Sequence, residues 1–158
     1  MATTTYAIAL GSNRRGRHGA PAAEVRAGLA AIGAGRASRV IASAPLGPSL
    51  RRFANAAALV ESDLSPLAML ARLKAIERAF GRRSGRRWGA RVIDLDIALW
   101  SGGRVVTRTL AIPHRELRRR AFVLAPLAEV APGWRDPVSG LTVRQLHARL
   151  TRRRALPS

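Results

Sequence analysis

Residues 89–100 read GARVIDLDIALW, and the fold turns on how this stretch is read. Taken as a strand, it alternates. Ile93, Leu95, Ile97 and Leu99 are expected on one face, and Asp94, Asp96 and Ala98 on the other. Two carboxylates side by side on one face of an apolar strand repel each other unless a cation answers them.

The elements on either side give this strand its neighbours. Tyr6 to Leu10 reads as a buried strand ending at Gly11-Ser12-Asn13. Pro21 to Ile32 reads as a helix with proline in its first turn. Ser38 to Ser43 is a second strand, Ala44 to Arg52 a Pro/Gly loop, and Phe53 to Glu61 a third strand. Ser65-Pro66 starts a helix that runs to about Phe80, with Leu67, Leu70, Leu73 and Phe80 towards the core. After the Asp94/Asp96 strand, Gly102-Gly103 makes a tight turn and Val105 to Thr107 pairs back as a short strand. The stretch AIPHRELRRRAFVLAPLAEVAP, from Ala111, holds one short helix and one longer one, and Leu141 to Leu150 forms the last. The order matches a ferredoxin-like βαββαβ unit. The expected class is α+β, a mainly antiparallel sheet covered by helices in a three-layer α/β/α sandwich. A single domain over residues 1–150 and a frayed basic tail over 151–158 are expected.

The chain of 158 residues contains no cysteine, which excludes a disulfide framework and thiolate metal sites. Its first residues, MATTTYAIALGSN, lack the basic region of a signal peptide and the length of a membrane span, so the expected compartment is the cytoplasm and no membrane partner is expected. The net charge of +19 suggests a polyanionic partner. Lys74 is the only lysine among 28 basic residues, however, and this arginine excess together with abundant alanine is also what a GC-rich coding sequence produces. Particular arginines therefore say more than the total.

Same-face neighbours on a strand lie about 7 Å apart along the backbone, close enough for Asp94 and Asp96 to converge on two cations. Oxygen ligands favour Mg²⁺. Gly81 to Arg91, directly upstream, carries five arginines and three glycines. Glycines let backbone fold over a ligand, and guanidinium groups match phosphate oxygens. Together these describe a nucleoside triphosphate site, and Gly81–Arg91 is expected to close over it as a lid. No G-x-x-x-x-G-K-[ST] occurs, so the site is not a P-loop. His114, Arg120 and Phe122 follow downstream.

ALGSN after the first strand, PLGP followed by FANAA, IERAFGR, RWGARVIDLDIALW and IPHRELRRRAFVLAPLAEVAP occur in this order between Tyr6 and Leu146. The set resembles the 6-hydroxymethyl-7,8-dihydropterin pyrophosphokinase family of folate biosynthesis. The resemblance implies transfer of pyrophosphate from ATP to the pterin's hydroxymethyl oxygen, with release of AMP. It implies that Asp94 and Asp96 bind two Mg²⁺ ions, and that Arg82 and Arg91 act with them in catalysis. It places Leu70, Lys74, Arg82, Trp88, Arg91, Ile97, His114, Arg115 and Arg120 around ATP. It places Ser43, Ala44, Leu46, Phe53, Asn55, Asp94 and Phe122 around the pterin, with Phe53 and Phe122 stacking on its ring.

Some positions depart from the family pattern. Ala90 replaces a proline, Arg115 a frequent tyrosine, and Phe53 a common tyrosine. The arginine-rich loop is about one residue short, so its second arginine role falls to Arg83 or Arg86. A basic nucleic-acid-binding module on a ferredoxin-like sheet is the main alternative, but the chain lacks the aromatic run that such sheets display. A metal-dependent nuclease would use the aspartates but has no evident task for Phe53, Asn55 and Phe122. Small-molecule substrates, no specific nucleic acid and a monomeric chain are expected.

Overall fold

The computed structural model describes residues 2–43, 53–81 and 92–155. The chain forms β1 (Thr4–Ser12), α1 (Pro21–Ala31), β2 (Arg36–Ala37), β3 (Ile41–Ser43), β4 (Phe53–Ser62), α2 (Pro66–Phe80), β5 (Asp94–Trp100), β6 (Val105–Val106), β7 (Ala111–Ile112), α3 (Ala121–Val130) and α4 (Val143–Ala155). The main sheet runs β2-β4-β1-β5, with β3 also pairing to β4, and its pairings are antiparallel. This is the ferredoxin-like order, with the first strand central and the last at one edge.

Local chemistry accounts for the helix starts. Pro21 and Pro66 sit in the first turns of α1 and α2, where a missing N–H costs nothing. The Ser65 side chain accepts the N–H of Ala68 at 3.3 Å, capping α2.

Two apolar layers sandwich the sheet. Tyr6, Ile8, Leu10, Ile93, Leu95 and Ile97 pack with α1 and α2 on one face. Ala7, Ala57, Ala98 and Leu99 pack with α3 and α4 on the other. The α/β/α layering is therefore as expected.

Several details differ from the sequence reading. Leu99 faces the α3 layer and not the side of Ile93, Leu95 and Ile97. The register shifts between Ala7 and Ile8: Ala7 pairs with Leu99 while Ile8 pairs with Ile97, so Ala98 is an extra residue on β5. Such a bulge reverses the alternation beyond it. The expected Ser38–Ser43 strand is two short strands, β2 and β3, on either side of Ser38–Val40. The Ser38 hydroxyl accepts the Ala57 N–H at 2.9 Å, substituting for a ladder bond in that gap. Val105–Val106 pairs with Ala111–Ile112 in a separate ribbon and not back on β5. Residues 115–119 form turns in place of the short helix. Leu67 is exposed, and Met69, Leu73, Glu77 and Phe80 make up the buried stripe of α2. Helix α4 continues to Ala155. Among the described residues, no helix is long and apolar enough to cross a membrane.

Candidate active site

Three strands meet at one row. Gly11 on β1 pairs with Asn55 on β4 and with Asp94 on β5. A cavity of about 630 Å³ lies over this row, and Phe53, Asn55, Asp94, Asp96, Arg120 and Phe122 line it. The structure thus brings together six residues that the sequence reading had placed in one site.

The aromatic pair is placed for a ligand. Phe53 and Phe122 are 38% and 51% exposed although both border a cavity, so neither is ordinary core packing. Phe122 lies in the first turn of α3, where the preceding Arg120 holds its guanidinium carbon 5.6 Å from the ring centroid. A cation over an aromatic face restrains the ring. Asn55 lies close over Gly11: a Cβ at position 11 would stand 3.0 Å from Asn55 Oδ1. Ser43 ends β3 opposite Phe53 in the β3–β4 pairing.

The acidic pair follows from strand geometry. Asp94 and Asp96 precede the bulge, so alternation still holds and both face the cavity. Among the described residues, no group of three or more His, Cys, Asp or Glu is placed to hold a metal ion. Two neighbouring carboxylates nevertheless fit Mg²⁺, which typically takes one or two protein carboxylates and completes its shell with phosphate and water oxygens.

Residues that the sequence reading did not assign to the site hold this geometry. Gly11, Ser12, Asn13 and Arg119 line the cavity. The buried Ser12 hydroxyl donates to the Val92 carbonyl at 2.6 Å, tying the end of β1 to the approach to β5. The buried carboxylate of Glu77 accepts the Leu95 N–H at 2.8 Å, between the two aspartates. The sequence signal for Glu77 was an acid one turn beyond Leu73 on the buried stripe of α2.

His114 is anchored at the bulge. Its backbone N–H donates to the Ala98 carbonyl at 3.0 Å, and its Nδ1 accepts the Glu116 N–H at 3.1 Å. In the neutral ring the hydrogen is then on Nε2. His114 and the exposed Arg115 are not among the residues lining the cavity. Leu70, Lys74 and Ile97 lie on the α2 side of the sheet: Ile97 is buried, Leu70 packs against the same core, and Lys74 pairs with Glu77 at 3.3 Å. Arg82, Arg83, Arg86, Trp88, Ala90 and Arg91, with the expected lid, lie outside the described residues, as do Ala44 and Leu46.

Behind the Arg119–Phe122 wall, Arg118 donates to Asp136 Oδ2 at 3.2 Å. Burial pushes the Asp136 carboxyl up. Hydrogen bonds from the Ser139 side chain, Val138 N–H, Arg118 and Ser139 N–H outweigh it, and the net shift is downward.

Residues 7–132 match the family model of 7,8-dihydro-6-hydroxymethylpterin-pyrophosphokinase. A 2-amino-4-hydroxy-6-hydroxymethyldihydropteridine pyrophosphokinase of Pseudomonas aeruginosa is 39% identical over 82% of this chain and 82% of its own length. The protein of the same name from Methylorubrum extorquens is 46% identical over 62% of this chain and 61% of its own length, so the match spans less than two thirds of that relative. A crystal structure of Plasmodium falciparum HPPK-DHPS with pteroate superposes with a TM-score of 0.75 at 14% identity, over 96% of this chain and 43% of that one, which supports the fold. The chain belongs to the 7,8-dihydro-6-hydroxymethylpterin-pyrophosphokinase family.

Proposed function

We propose that the chain transfers pyrophosphate from ATP to the hydroxymethyl group of 6-hydroxymethyl-7,8-dihydropterin, giving the pterin diphosphate and AMP. The observation that carries this reading is one cavity lined by the Asp94/Asp96 pair, Asn55 and the two exposed phenylalanines. A flat heterocycle suits two aromatic faces and a fixed amide, and a phosphate chain suits the acidic pair and Arg120.

In the transfer, the hydroxymethyl oxygen forms a bond to the β-phosphorus of ATP. The bond from that phosphorus to the oxygen bridging it to the α-phosphate breaks, and the electron pair leaves with AMP. The hydroxyl proton passes to Asp94 or to water. Asp94 and Asp96 would hold two Mg²⁺ ions, which would supply neutralising charge to the phosphates. Phe53 and Phe122 hold the ring, and Asn55 reads its polar edge. Arg120 bonds phosphate oxygens, and His114 Nε2–H supplies a further donor to them. Arg82 and Arg91 stabilise the charge that develops on the leaving phosphate. Leu70, Lys74, Ile97, Trp88 and Arg115 complete the nucleotide site, and Ser43, Ala44 and Leu46 the pterin site. Asp94 and Asp96 share the cavity with Phe53, Asn55 and Phe122, so metal ions held there would supply charge to phosphates next to the ring. The chain works as a monomer in the cytoplasm on small-molecule substrates.

The test is incubation with ATP, Mg²⁺ and the pterin. AMP should form in step with pterin diphosphate and only when the pterin is present. AMP release that ignores the pterin, or hydrolysis of nucleic acid by the same preparation, would overturn the assignment. A nuclease reading leaves the cavity's aromatic pair and Asn55 without a role.

A further inference from the structure

A second cavity lies beside the first. The segment after β1 reads RRGR, residues 14–17, and its three arginines line a space of about 560 Å³ with Phe80 and Val92 among the other lining residues. The hydrogen bond from Ser12 to the Val92 carbonyl stands between the two spaces, because Ser12 lines the first and Val92 the second.

Among the described residues, none of the three arginines takes part in an ion pair. Glu24 lies near the segment: a side chain at Gly16 would meet its carboxyl carbon at 2.9 Å. That carboxylate is fully buried and engaged by His18, whose N–H donates at 2.6 Å and whose Nδ1 lies 3.0 Å away. Among the described residues, Arg14 Nε is buried and has no hydrogen-bond partner. A buried N–H of a cation with no acceptor is costly, and three like charges within four residues repel.

We propose that this cavity binds a phosphoryl oxyanion, either inorganic phosphate or the phosphate of a nucleotide. An oxyanion in this cavity offsets the charge of all three arginines that line it. Guanidinium N–H forks match phosphate oxygens in pairs, so a tetrahedral anion of more than one charge fits better than chloride. Asp94 and Asp96 line the first cavity with Arg119 and Arg120, whereas the described lining of the second holds arginines and no acidic residue. The inference does not depend on the pyrophosphokinase reading.

Phosphate binding is followed by ³¹P NMR titration with EDTA present, so that metal-bridged binding at Asp94 and Asp96 is removed. Three proteins are compared: wild type, Arg14→Gln/Arg15→Gln/Arg17→Gln, and Arg119→Gln/Arg120→Gln. The first variant should lose about tenfold or more in affinity, as expected for lost charge-assisted hydrogen bonds, and the second should change less than about twofold. Should the triple variant fail to give a native melting curve, Arg14→Gln alone is measured and should still lose affinity. Sulfate should compete and chloride at equal ionic strength should not. AMP titrated in the same way separates the sources: equal affinity assigns the site to free phosphate, and affinity at least about tenfold tighter assigns it to a nucleotide phosphate. Unchanged phosphate affinity in the RRGR variants, loss confined to the Arg119/Arg120 variant, or displacement by chloride as effective as by sulfate would each overturn the proposal.

Discussion

The Glu77 carboxylate accepts the backbone N–H of Leu95 at 2.8 Å, from a helix that packs beside an edge strand. Among the described residues, strand β5 pairs with β1 on one side only, and this N–H points away from that ladder. Glu77 supplies the missing acceptor and fixes the backbone between Asp94 and Asp96. Glu77→Leu leaves a buried N–H unsatisfied and should cost about 1–3 kcal/mol in urea unfolding. Glu77→Gln keeps an acceptor oxygen and should lose clearly less. Equal losses in the two variants would mean that Glu77 acts through its charge and not through this bond.

Asp96→Asn keeps the side-chain shape but removes one charge from the pair. Its melting temperature in EDTA should equal or exceed the wild-type value, because the repulsion between neighbouring acids is relieved. Turnover at ordinary Mg²⁺ should fall by about 10²-fold or more, the size of effect typical for lost charge stabilisation at a transferring group. Near-normal turnover by the folded variant would remove Asp96 from the metal site.

Alternation read from the sequence holds in β5 through Ile97 and fails at Leu99. The failure has a local cause: the extra residue Ala98 sits where His114 N–H donates to its carbonyl, and nothing in the letters of β5 announces a contact made 16 residues downstream. Phe53, Asn55, Asp94, Asp96, Arg120 and Phe122 could be grouped beforehand because the family motifs span them. Gly11 and Ser12 are legible as the end of a strand and as part of the ALGSN motif, but without a task in the site. Their place in the site depends on which strands flank β1, a long-range fact. The helical spacing of Leu67, Leu70, Leu73 and Phe80 predicts Leu67 inward, but it is exposed in the first turn of α2, where Met69 takes the inward position. The split of β2 from β3 depends on the Ser38 hydroxyl, whose partner Ala57 lies on another strand.

Phe122 is half exposed, so its removal should affect binding more than folding. Phe122→Ala should weaken the pterin by about 0.5–1.5 kcal/mol from lost stacking, in addition to lost apolar contact. ATP affinity and the urea midpoint should change much less. Calorimetry that shows equal losses for the two substrates would make Phe122 part of a shared scaffold.

Gly11→Ala separates the ring slot from the acidic pair in another way. The new Cβ would stand 3.0 Å from Asn55 Oδ1, so the amide must give way by a few tenths of an ångström. Pterin affinity should therefore fall while Mg²⁺-ATP affinity holds. A variant with unchanged pterin affinity would show that the exact position of Asn55 does not matter to ring recognition.

The last expectation concerns pH and the wall behind Arg119 and Arg120. Asp136 is fully buried, and its carboxylate accepts from Val138 N–H at 2.9 Å, Ser139 Oγ at 2.7 Å and Arg118 at 3.2 Å. Burial raises its affinity for a proton, but the hydrogen bonds together lower it further, so the folded carboxyl titrates below its ordinary value of 3.8. A depressed folded pKa means that the unfolded chain takes up the proton first as pH falls. The stabilisation is thus fully present above that ordinary value and is lost as pH drops through it towards the folded pKa. Asp136→Asn cannot accept from Ser139 and Arg118 through its amide nitrogen, and should lose about 1–3 kcal/mol at pH 7. Arg118 is partly exposed, so solvent screening makes its ion pair the smaller part of that loss. Urea unfolding of the wild type and Asp136→Asn from pH 7 to pH 3 should show a constant gap down to about pH 5, and the gap should narrow below pH 4 as the wild type loses its advantage. A gap that stays constant to pH 3 would show that the Asp136 contribution is independent of its charge. With Arg118 released, affinity for both Mg²⁺-ATP and the pterin should fall at pH 7, because the displaced wall carries Arg120 and Phe122 together. Arg118→Met should reproduce the loss for both substrates with a smaller change in stability, as the buried Asp136 keeps its bonds to Val138 and Ser139.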